Sequence, residues 1–549
     1  MKDSYRLLLP FIVFLSLIAF CYGIILCNWE RLGHGVLLLR FVAIPLTALW
    51  IGVSLSYKTG FMEWLENRCS GVRSWRIITF AALIYFILLL TLKLSKLFTL
   101  NYEYFDAGLY INKLFRISEV GLVEASLLAF GEGHFQPVMV IYAFAYEMFN
   151  SAWLPFALET AALASGIFPL FFLARKLLKN EFSATVICLA YLFNPLVQFN
   201  DILGFHPDHI VLPALLWAFY FAEVGRFAKC LLALIIVSLS SEPWIPLAAA
   251  FGIYLSVEHK KYFLGALVFT FFTMLFLYIL FFLLDDFGSS NSGRNLFAGP
   301  GSPYDTLRSP GLSHIWEILS NPRKLFFFLF ICFPFVGVLF FSIPVAIVAI
   351  PDLLKILFSK EMLHFSVEGH YTLGLIGILF VSYVKGLNML TIKNGSHLCK
   401  KVPIWTLAAT VGISIAHSPL PLSFNFWSGW SGGAFHYANY LPSDKTHSLR
   451  KIEGLLGYDA SQKIELTNRA FTPELGRRNR PIYLFPTPDW RASDFVIIDK
   501  REHHGAGSEF LQEAYEEKLD AAQRELPLNN FSLIYDDANV QLWRNRETI

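Results

Sequence analysis

The stretch YFLGALVFTFFTMLFLYILFFLL, residues 262–284, contains no charged side chain. A helix needs roughly 20 apolar residues to cross the hydrocarbon core of a bilayer. Uncharged runs also occur at residues 7–29, 182–200, 325–351 and 402–442. These runs predict a mainly α-helical, polytopic membrane protein in which the longest runs each hold two spans.

The composition agrees with a lipid environment. Hydrophobic residues make up 55% of the 549 and charged residues only 16%, whereas a soluble protein carries about 25% charged residues. The net charge of +2 and the lack of a long basic stripe exclude nucleic acid as a partner. The seven cysteines include no CxxC pair, so neither a disulfide framework nor a thiolate zinc site is indicated.

Charge density divides the chain near residue 443. Residues 443–549 hold 33 charged side chains in 107 positions, and the preceding 442 positions hold 53. The tail alternates short β-type runs with an amphipathic helix at residues 509–526, which predicts a small α/β domain. The β-type runs are KIELTN, IYLFP, DFVIID, FSLIYDD and VQLW. We therefore predict two additional N-terminal spans with a cytoplasmic loop in residues 1–75, a membrane domain in residues 76–442 and an extracytoplasmic α/β domain in residues 443–549.

Lysine and arginine clusters indicate an orientation, because basic residues accumulate in short cytoplasmic loops. Such clusters lie at residues 58–76, 175–179, 226–229, 260–261 and 385–401. They predict that the N-terminus is inside, that the tail is outside, and that the membrane is the cytoplasmic (inner) membrane of a prokaryote. About thirteen spans follow, at residues 7–27, 35–57, 76–98, 152–174, 182–200, 209–225, 229–241, 243–257, 261–284, 325–341, 342–359, 371–390 and 402–421.

Two large outward loops result from this topology, at residues 101–151 and 285–324. Within the first loop, FDAGLYINKLF and FQPVMVIYAFAYEMF are apolar but interrupted by polar groups, which favours helices lying at the membrane interface. The second loop is rich in Gly, Ser and Pro, which suits a flexible cover over a site.

Candidate functional residues gather on the predicted outer face. Single loop residues are as often merely solvated, but charges beside apolar helix ends are costly unless they have a partner or a function. Glu242 is the strongest of them, because the short polar gap SSEPW between two apolar runs keeps its carboxylate from bulk water. The candidates are Glu103, Asp106, His134, His206, Asp208, His209, Glu242, Arg294, Arg308, Arg323, Lys324, His370 and Tyr371.

A metal site is a further possibility in the turn FHPDH. His and Asp are ordinary ligands of Zn²⁺ or Mn²⁺, and His206 and Asp208, with Asp106, are the candidate ligands for a divalent cation, with Mg²⁺ or Mn²⁺ as the possible cofactor. Hydrogen bonding or capping is the more common role of isolated histidines, so the spacing alone does not select a metal.

The segments FDAGLY, GHFQP, FHPDH and SSEPW resemble, in this order, those of a family of uncharacterised bacterial and archaeal membrane proteins. That family is similar to the multi-span GT-C glycosyltransferases. The resemblance covers residues 101–385 and implies a sugar transferase that takes its donor from a polyprenyl phosphate at the outer face. The essential acidic residue of the first outer loop in that class falls on Asp106.

The resemblance implies roles for the other candidates. Asp106 would be the general base, with Glu242 and His134 beside it as catalytic residues, and the partners would be a polyprenyl-phosphate-linked sugar, membrane lipid and an acceptor glycan, lipid or protein. The remaining candidates would bind the sugar or the phosphate. Glu132 is displaced by one residue from the family's Gly-Asp-His pattern, and Ser241 and Pro243 stand where the family has a basic residue and a second acid.

Two other classes fit a membrane protein with an outer domain, a lipid or solute transporter or flippase and a non-catalytic envelope assembly protein. A transporter usually places ionisable residues near the bilayer midplane, whereas most candidates here fall at predicted span ends.

Overall fold

The computed structural model describes most of the chain as helix. The described residues are 39–102, 105–119, 134–149, 151–283, 320–359, 362–428, 435–456, 462–467, 482–500 and 509–547. In the order of the described chain, the first seven helices are α1 Ile44–Ser56, α2 Thr59–Arg68, α3 Val72–Phe98, α4 Phe105–Glu119, α5 Met139–Phe149, α6 Trp153–Ser165 and α7 Ile167–Leu178. Then follow α8 Glu181–Phe193, α9 Pro195–Ile202, α10 Val211–Glu223, α11 Phe227–Ser240, α12 Ile245–His259 and α13 Tyr262–Tyr278.

The remaining helices lie on both sides of the predicted boundary at residue 443. They are α14 Pro322–Cys332, α15 Ile343–Phe358, α16 Leu373–Asn394, α17 His397–Ala416, α18 Phe424–Ser428, α19 Asp444–Leu456 and α20 Glu509–Glu525. Both helices that were predicted in the first outer loop are present as α4 and α5. Their position at a membrane interface stays a prediction.

Several helices have the length and composition of membrane spans. Five in the described ranges are long and apolar enough, and up to seven are if each of two bent helix pairs counts as one span. The five are Val72–Phe98, Trp153–Leu178, Tyr262–Leu283, Leu373–Asn394 and His397–Ala416. The predicted count of thirteen therefore stays a prediction, and its first span lies outside the described residues.

The run at residues 325–341 was predicted as one span, but the structure divides it. Helix α14 ends at Cys332, and two 3₁₀ turns follow, Phe333–Phe335 and Val338–Phe341. Between them the backbone of Val336 and Gly337 has positive φ angles of 44° and 76°. The apolar composition of the run predicts burial in lipid or protein but does not predict a break in the helix. Pro334 and Gly337 favour the break, because proline ends helices and glycine adopts positive φ angles.

Helices α8 and α9 form a bent pair that brings polar residues into the bundle. The two axes meet at 45°, where Asn194 separates them and Pro195 begins α9. The Asn194 side chain accepts a hydrogen bond from the amide of Leu196 and so caps the second helix. The bend directs the end of α9, with Asp201, into the interior.

Close helix packing occurs where glycines face each other. A methyl group added at Gly252 in α12 would lie 2.4 Å from the carbonyl oxygen of Gly265 and 2.6 Å from the amide nitrogen of Phe269 in α13. Small residues of this kind let helix backbones approach in membrane proteins.

A five-stranded sheet forms the tail, and all five predicted β-type runs are strands. The strands are β1 Ile464–Leu466, β2 Ile482–Leu484, β3 Phe495–Asp499, β4 Phe531–Asp536 and β5 Val540–Asn545. Their order is β2-β1-β3-β5-β4, with β1 parallel to β2 and β3 and with β5 antiparallel to β3 and β4. The predicted amphipathic helix is α20.

The tail is anchored to the end of α3. Leu100, just beyond that helix, has no exposed surface and belongs to the apolar core that β1, β3 and α19 form. The hydroxyl of Thr446 donates to the Thr99 carbonyl at 2.7 Å, and Arg450 donates to the Phe98 carbonyl at 2.8 Å. These bonds satisfy carbonyl groups that a helix end leaves without intrahelical partners.

A second connection joins the tail to α4. The Asn112 side chain donates to the Ile482 carbonyl at 2.8 Å and accepts from the Ile482 amide at 3.2 Å. Strand β2 is at the edge of the sheet, so the carboxamide occupies backbone groups that a neighbouring strand would otherwise use.

Candidate functional site

The FHPDH turn is fixed by one carboxylate from α6. A 3₁₀ helix, Pro207–Ile210, joins α9 to α10 and buries His206 and His209. Glu159 accepts a hydrogen bond from the His206 amide at 3.0 Å and contacts Nδ1 of His209. Nδ1 of His209 also donates to the His206 carbonyl at 2.8 Å. Because a carbonyl oxygen can only accept, Nδ1 carries a proton.

The same carboxylate belongs to a buried ionic network. The Lys93 ammonium in α3 donates to Glu159 at 2.5 Å and to Asp201 at 2.8 Å, and none of the three side chains is exposed. The Thr160 hydroxyl donates to Asp201 at 2.7 Å. Burying these charges is expensive unless each has partners, so the network ties α3, α6 and α9 together beneath the turn.

The turn also lies against the first residues of α4, the helix that contains Asp106. Gly204 has a φ of +149°, and a methyl group added there would lie 3.4 Å from the Ala107 side chain. The Tyr110 ring meets the His206 ring edge-on, with 5.4 Å between their centroids. The backbone of Asp106 therefore lies next to the FHPDH turn. Its side chain, like all of Glu103, lies outside the described residues.

Glu242 and His134 form a pair, as the prediction of a shielded carboxylate requires. Glu242 lies in a 3₁₀ turn between α11 and α12 and is 2% exposed. It contacts Nδ1 of His134 at 2.5 Å and accepts from the Phe135 amide at 2.9 Å. The Glu242 carboxylate raises the pKa of His134 above 6.5, and burial opposes that effect. His134 is accordingly favoured as a cation.

Asp208 connects the turn to the Glu242 segment. Its carboxylate accepts from the Trp244 indole at 2.8 Å. On the other side of that indole, the Lys355 ammonium lies 4.6 Å from the ring centroid, which is a cation–π contact. Among the described residues, the hydrogen-bond donor to the Asp208 carboxylate is thus the uncharged indole of Trp244.

A row of aromatic and imidazole rings extends from the turn toward α14. The His206 and His370 centroids are 4.0 Å apart, those of His370 and Tyr371 are 4.1 Å apart, and those of Tyr371 and His364 are 4.3 Å apart. Burial, together with the nearby Lys355 and Lys324 ammonium groups, lowers the pKa of His364 to about 3. The ring row is therefore neutral at this end at physiological pH.

Of the four basic residues that were predicted to bind the phosphate, the structure describes two, Arg323 and Lys324. Arg294 and Arg308 lie outside the described residues, as does Glu132. Lys324 is 2% exposed, and its ammonium donates to the Leu357 carbonyl at 2.6 Å. Arg323 is exposed near the start of α14. Of these four residues, Arg323 alone is described with an exposed side chain.

The structure thus brings together several predicted residues in one contiguous cluster, namely His134, His206, Asp208, His209, Glu242, His370 and Tyr371. Sequence reasoning missed Lys93, Glu159 and Asp201, which hold the turn in place. A signal for Glu159 exists, because it is the only ionisable residue of helix α6. Such residues in membrane helices usually face the bundle interior and mark functional regions.

These features define a polytopic helical protein with buried carboxylates and imidazoles converging at one junction of α4, α6, α9 and α12. The chain belongs to the family described as predicted membrane protein (DUF2079), whose model matches residues 96–431. Helices α1 and α2 precede the matched residues. No curated protein matches the sequence.

Two solved structures of ArnT from Cupriavidus metallidurans are similar to the chain. The structure bound to undecaprenyl phosphate has a TM-score of 0.49 at 10% identity and covers 86% of this chain and 98% of its own. The apo structure has a TM-score of 0.46 at 10% identity and covers 80% of this chain and 93% of its own.

Proposed function

We propose that this protein is a membrane glycosyltransferase that moves a sugar from a polyprenyl-phosphate donor to an acceptor on the extracytoplasmic face, with Asp106 as the general base. The observation that carries the proposal is the contact between the start of α4 and the FHPDH turn, through Ala107 and Gly204. This contact supports the proposal because it brings the start of α4 against the FHPDH turn, and a carboxylate in such a partly desolvated place would be a better proton acceptor than in open water.

Charge distribution supports a transfer reaction over simple solvation of loop residues. The Glu242–His134 pair presents a partly exposed imidazole whose charged form is favoured. A cation at this place can stabilise negative charge that develops on a departing phosphate. His370 and Tyr371 are half-buried rings next to the buried His206, and they could contact the apolar side of a sugar.

An apolar donor also accounts for the surroundings of the cluster. A polyprenyl chain stays in the hydrocarbon of the bilayer while its phosphate reaches the polar cluster at the helix ends. The prenyl chain and the apolar helix surfaces would then both be surrounded by lipid. Acceptor and sugar are selected in the loops at residues 101–151 and 285–324 under this proposal.

The test supplies membranes that contain the full chain with a radiolabelled polyprenyl-phosphate sugar and follows label transfer to extractable glycan, lipid or protein. Asp106→Asn is expected to reduce transfer by about 10²-fold or more, the usual contribution of a general base. Asp520→Asn is the matched control, because Asp520 is exposed in α20.

Protein abundance and detergent extraction are compared for both variants. Equal transfer by wild type and Asp106→Asn would overturn the role of Asp106. Movement of the labelled lipid between leaflets without transfer of the sugar would replace the transferase by a flippase.

A further inference from the structure

We infer that helix α2, Thr59–Arg68, lies along the surface of the bilayer, where its aromatic side chains enter the lipid and nearby basic side chains bind the headgroups of anionic phospholipids. The sequence predicts no more than a loop here. Helix α2 also precedes the residues that the family model matches, and the inference does not depend on the transferase reaction.

The first observation is the direction of α2. Helix α1 packs along α17, which is one of the candidate spans. A methyl group added at Gly412 of α17 would lie 2.7 Å from the Ala48 side chain, and one added at Gly52 of α1 would lie 2.4 Å from the Ala408 side chain. These two contacts make α1 and α17 antiparallel neighbours. Because α1 and α2 meet at 91°, α2 extends along the membrane plane and not through it.

The second observation is that α2 cannot be the second half of a broken span. Three of its ten residues, Glu63, Glu66 and Arg68, are charged, and charged side chains are costly in hydrocarbon. Glu66 pairs with Lys400 near the start of α17 at 2.6 Å. This ion pair places α2 at the level where the candidate span α17 begins.

The third observation is the division of α2 into three faces. Met62 and Leu65 pack against the bundle, and Glu63 is exposed on a polar face. Phe61 and Trp64, three residues apart, form an aromatic face. Their rings are stacked with 6.2 Å between the centroids, and Trp64 is 54% exposed. Amphipathic helices of this kind lie at the membrane interface, where tryptophan is enriched.

The fourth observation is the charge at both ends of α2. Lys58 precedes the helix, Arg68 ends it, and Arg73 donates to the Asn67 carbonyl at 3.0 Å. All three basic side chains are exposed, and none forms an ion pair within the described part of the chain. The Arg68 guanidinium lies 5.9 Å from the centroid of the Trp64 ring. Exposed cations of this kind beside a bilayer attract anionic lipid headgroups.

The size of the aromatic face favours lipid over a protein partner. Phe61 and Trp64 form a strip two side chains wide, whereas a stable protein interface buries about 800 Å² on each partner. Two aromatic rings flanked by cations match instead the boundary between acyl chains and headgroups. We therefore assign the surface of α2 to anionic phospholipid.

The first experiment tests the position of the aromatic face in vesicles of phosphatidylcholine and phosphatidylglycerol that contain the full chain. The photoreactive residue p-benzoylphenylalanine replaces Trp64, or replaces Glu63 on the polar face as the matched control. After illumination, mass spectrometry identifies the adducts. Lipid adducts should be about tenfold more abundant from position 64. Equal lipid adducts from both positions would overturn the inference, and adducts with protein from position 64 would replace lipid by a protein partner.

The second experiment tests the basic side chains by measuring the affinity of the full chain in maltoside micelles for fluorescent phosphatidylglycerol. The double variant Arg68→Gln with Arg73→Gln should bind about fivefold more weakly or worse, and added salt should weaken binding to the wild type. The control, Lys451→Gln with Lys518→Gln, removes the same charge from exposed positions of α19 and α20 and should bind like the wild type.

Equal affinity of the wild type and the double arginine variant would overturn the headgroup contact. A wild type that binds fluorescent phosphatidylcholine as tightly as phosphatidylglycerol would overturn it as well, because the inferred site depends on the negative charge of the lipid.

Discussion

At the scale of single residues, the ionisable side chains with no exposed surface determine how the turn is held. Lys93 is surrounded by Glu159, Asp201 and Thr160. Each carboxylate depends on that ammonium group, because none of the three charged side chains is exposed. Removing one partner of such a network costs far more than the network contributes as a whole.

Lys93→Met is therefore expected to destabilise the protein by about 3–5 kcal/mol. The apolar side chain fills the volume of the lysine stem but leaves two buried carboxylates without their cation. Thermal unfolding in detergent measures the loss, and Lys229→Met, which removes an exposed lysine of α11, is the control. Equal melting temperatures for the two variants would contradict the structural role of the network.

The Glu242–His134 pair predicts a pH dependence of stability. Because the folded-state pKa of His134 is raised above 6.5, the stabilisation from the ion pair is fully present below pH 6.5. It is lost as the pH rises through the folded-state pKa of the imidazole. In Glu242→Gln the charge that raises the pKa is gone, so that part of the pH dependence should disappear.

Melting temperatures of wild type and variant, recorded as a function of pH, test this expectation. Glu66→Gln is the control, since Glu66 pairs with Lys400 and, among the described residues, forms no ion pair with a histidine. A wild-type profile that parallels that of Glu242→Gln would mean that the pair does not titrate with folding.

At the scale of helices and strands, glycine determines how closely α12 and α13 approach each other. Gly252→Ala in α12 places a methyl group against backbone atoms of α13, which cannot move without separating the helices. Overpacking of this kind costs about 1–3 kcal/mol. Gly60→Ala in α2 adds a methyl group with nothing within 4 Å and should leave stability unchanged or slightly higher. Thermal unfolding of both variants measures the difference.

The elements differ in how far the sequence predicts them. A long uncharged run predicts α13, and alternating β-type runs predict all five strands, because hydrophobic patterning reflects burial directly. The bend at Asn194 and the break after Cys332 depend on hydrogen bonding around Pro195, Pro334 and Gly337. Those local bonds leave the apolar character of the run unchanged.

The site was predictable where polar residues interrupt apolar runs. His206, Asp208, His209 and Glu242 are visible in the sequence for that reason. Glu159 was not selected, because a single acid within a helix gives no indication of the residues that it will meet from distant segments. The contact of Glu159 with His209 arises only when α6 packs against the turn before α10.

At the scale of the whole molecule, the tail and the helical bundle share a core. Leu100→Ala is expected to remove about 2–5 kcal/mol of stability, mainly from the contact between α3 and the sheet. Limited proteolysis should then release fragments of residues 443–549 faster than in wild type. Leu455→Ala, which truncates a side chain that is 52% exposed in α19, is the control, and equal cleavage rates would contradict the shared core.

The position of Leu100 has a consequence for biosynthesis. The ribosome makes the sheet after all the helices of the bundle, yet Leu100, one of the residues that complete the sheet's apolar core, directly follows α3. The sheet must therefore mature against a bundle that is already inserted, and until then it would expose an apolar hollow to chaperones and proteases. A fusion that transplants residues 443–549 to another protein would carry that hollow with it and should precipitate or be degraded.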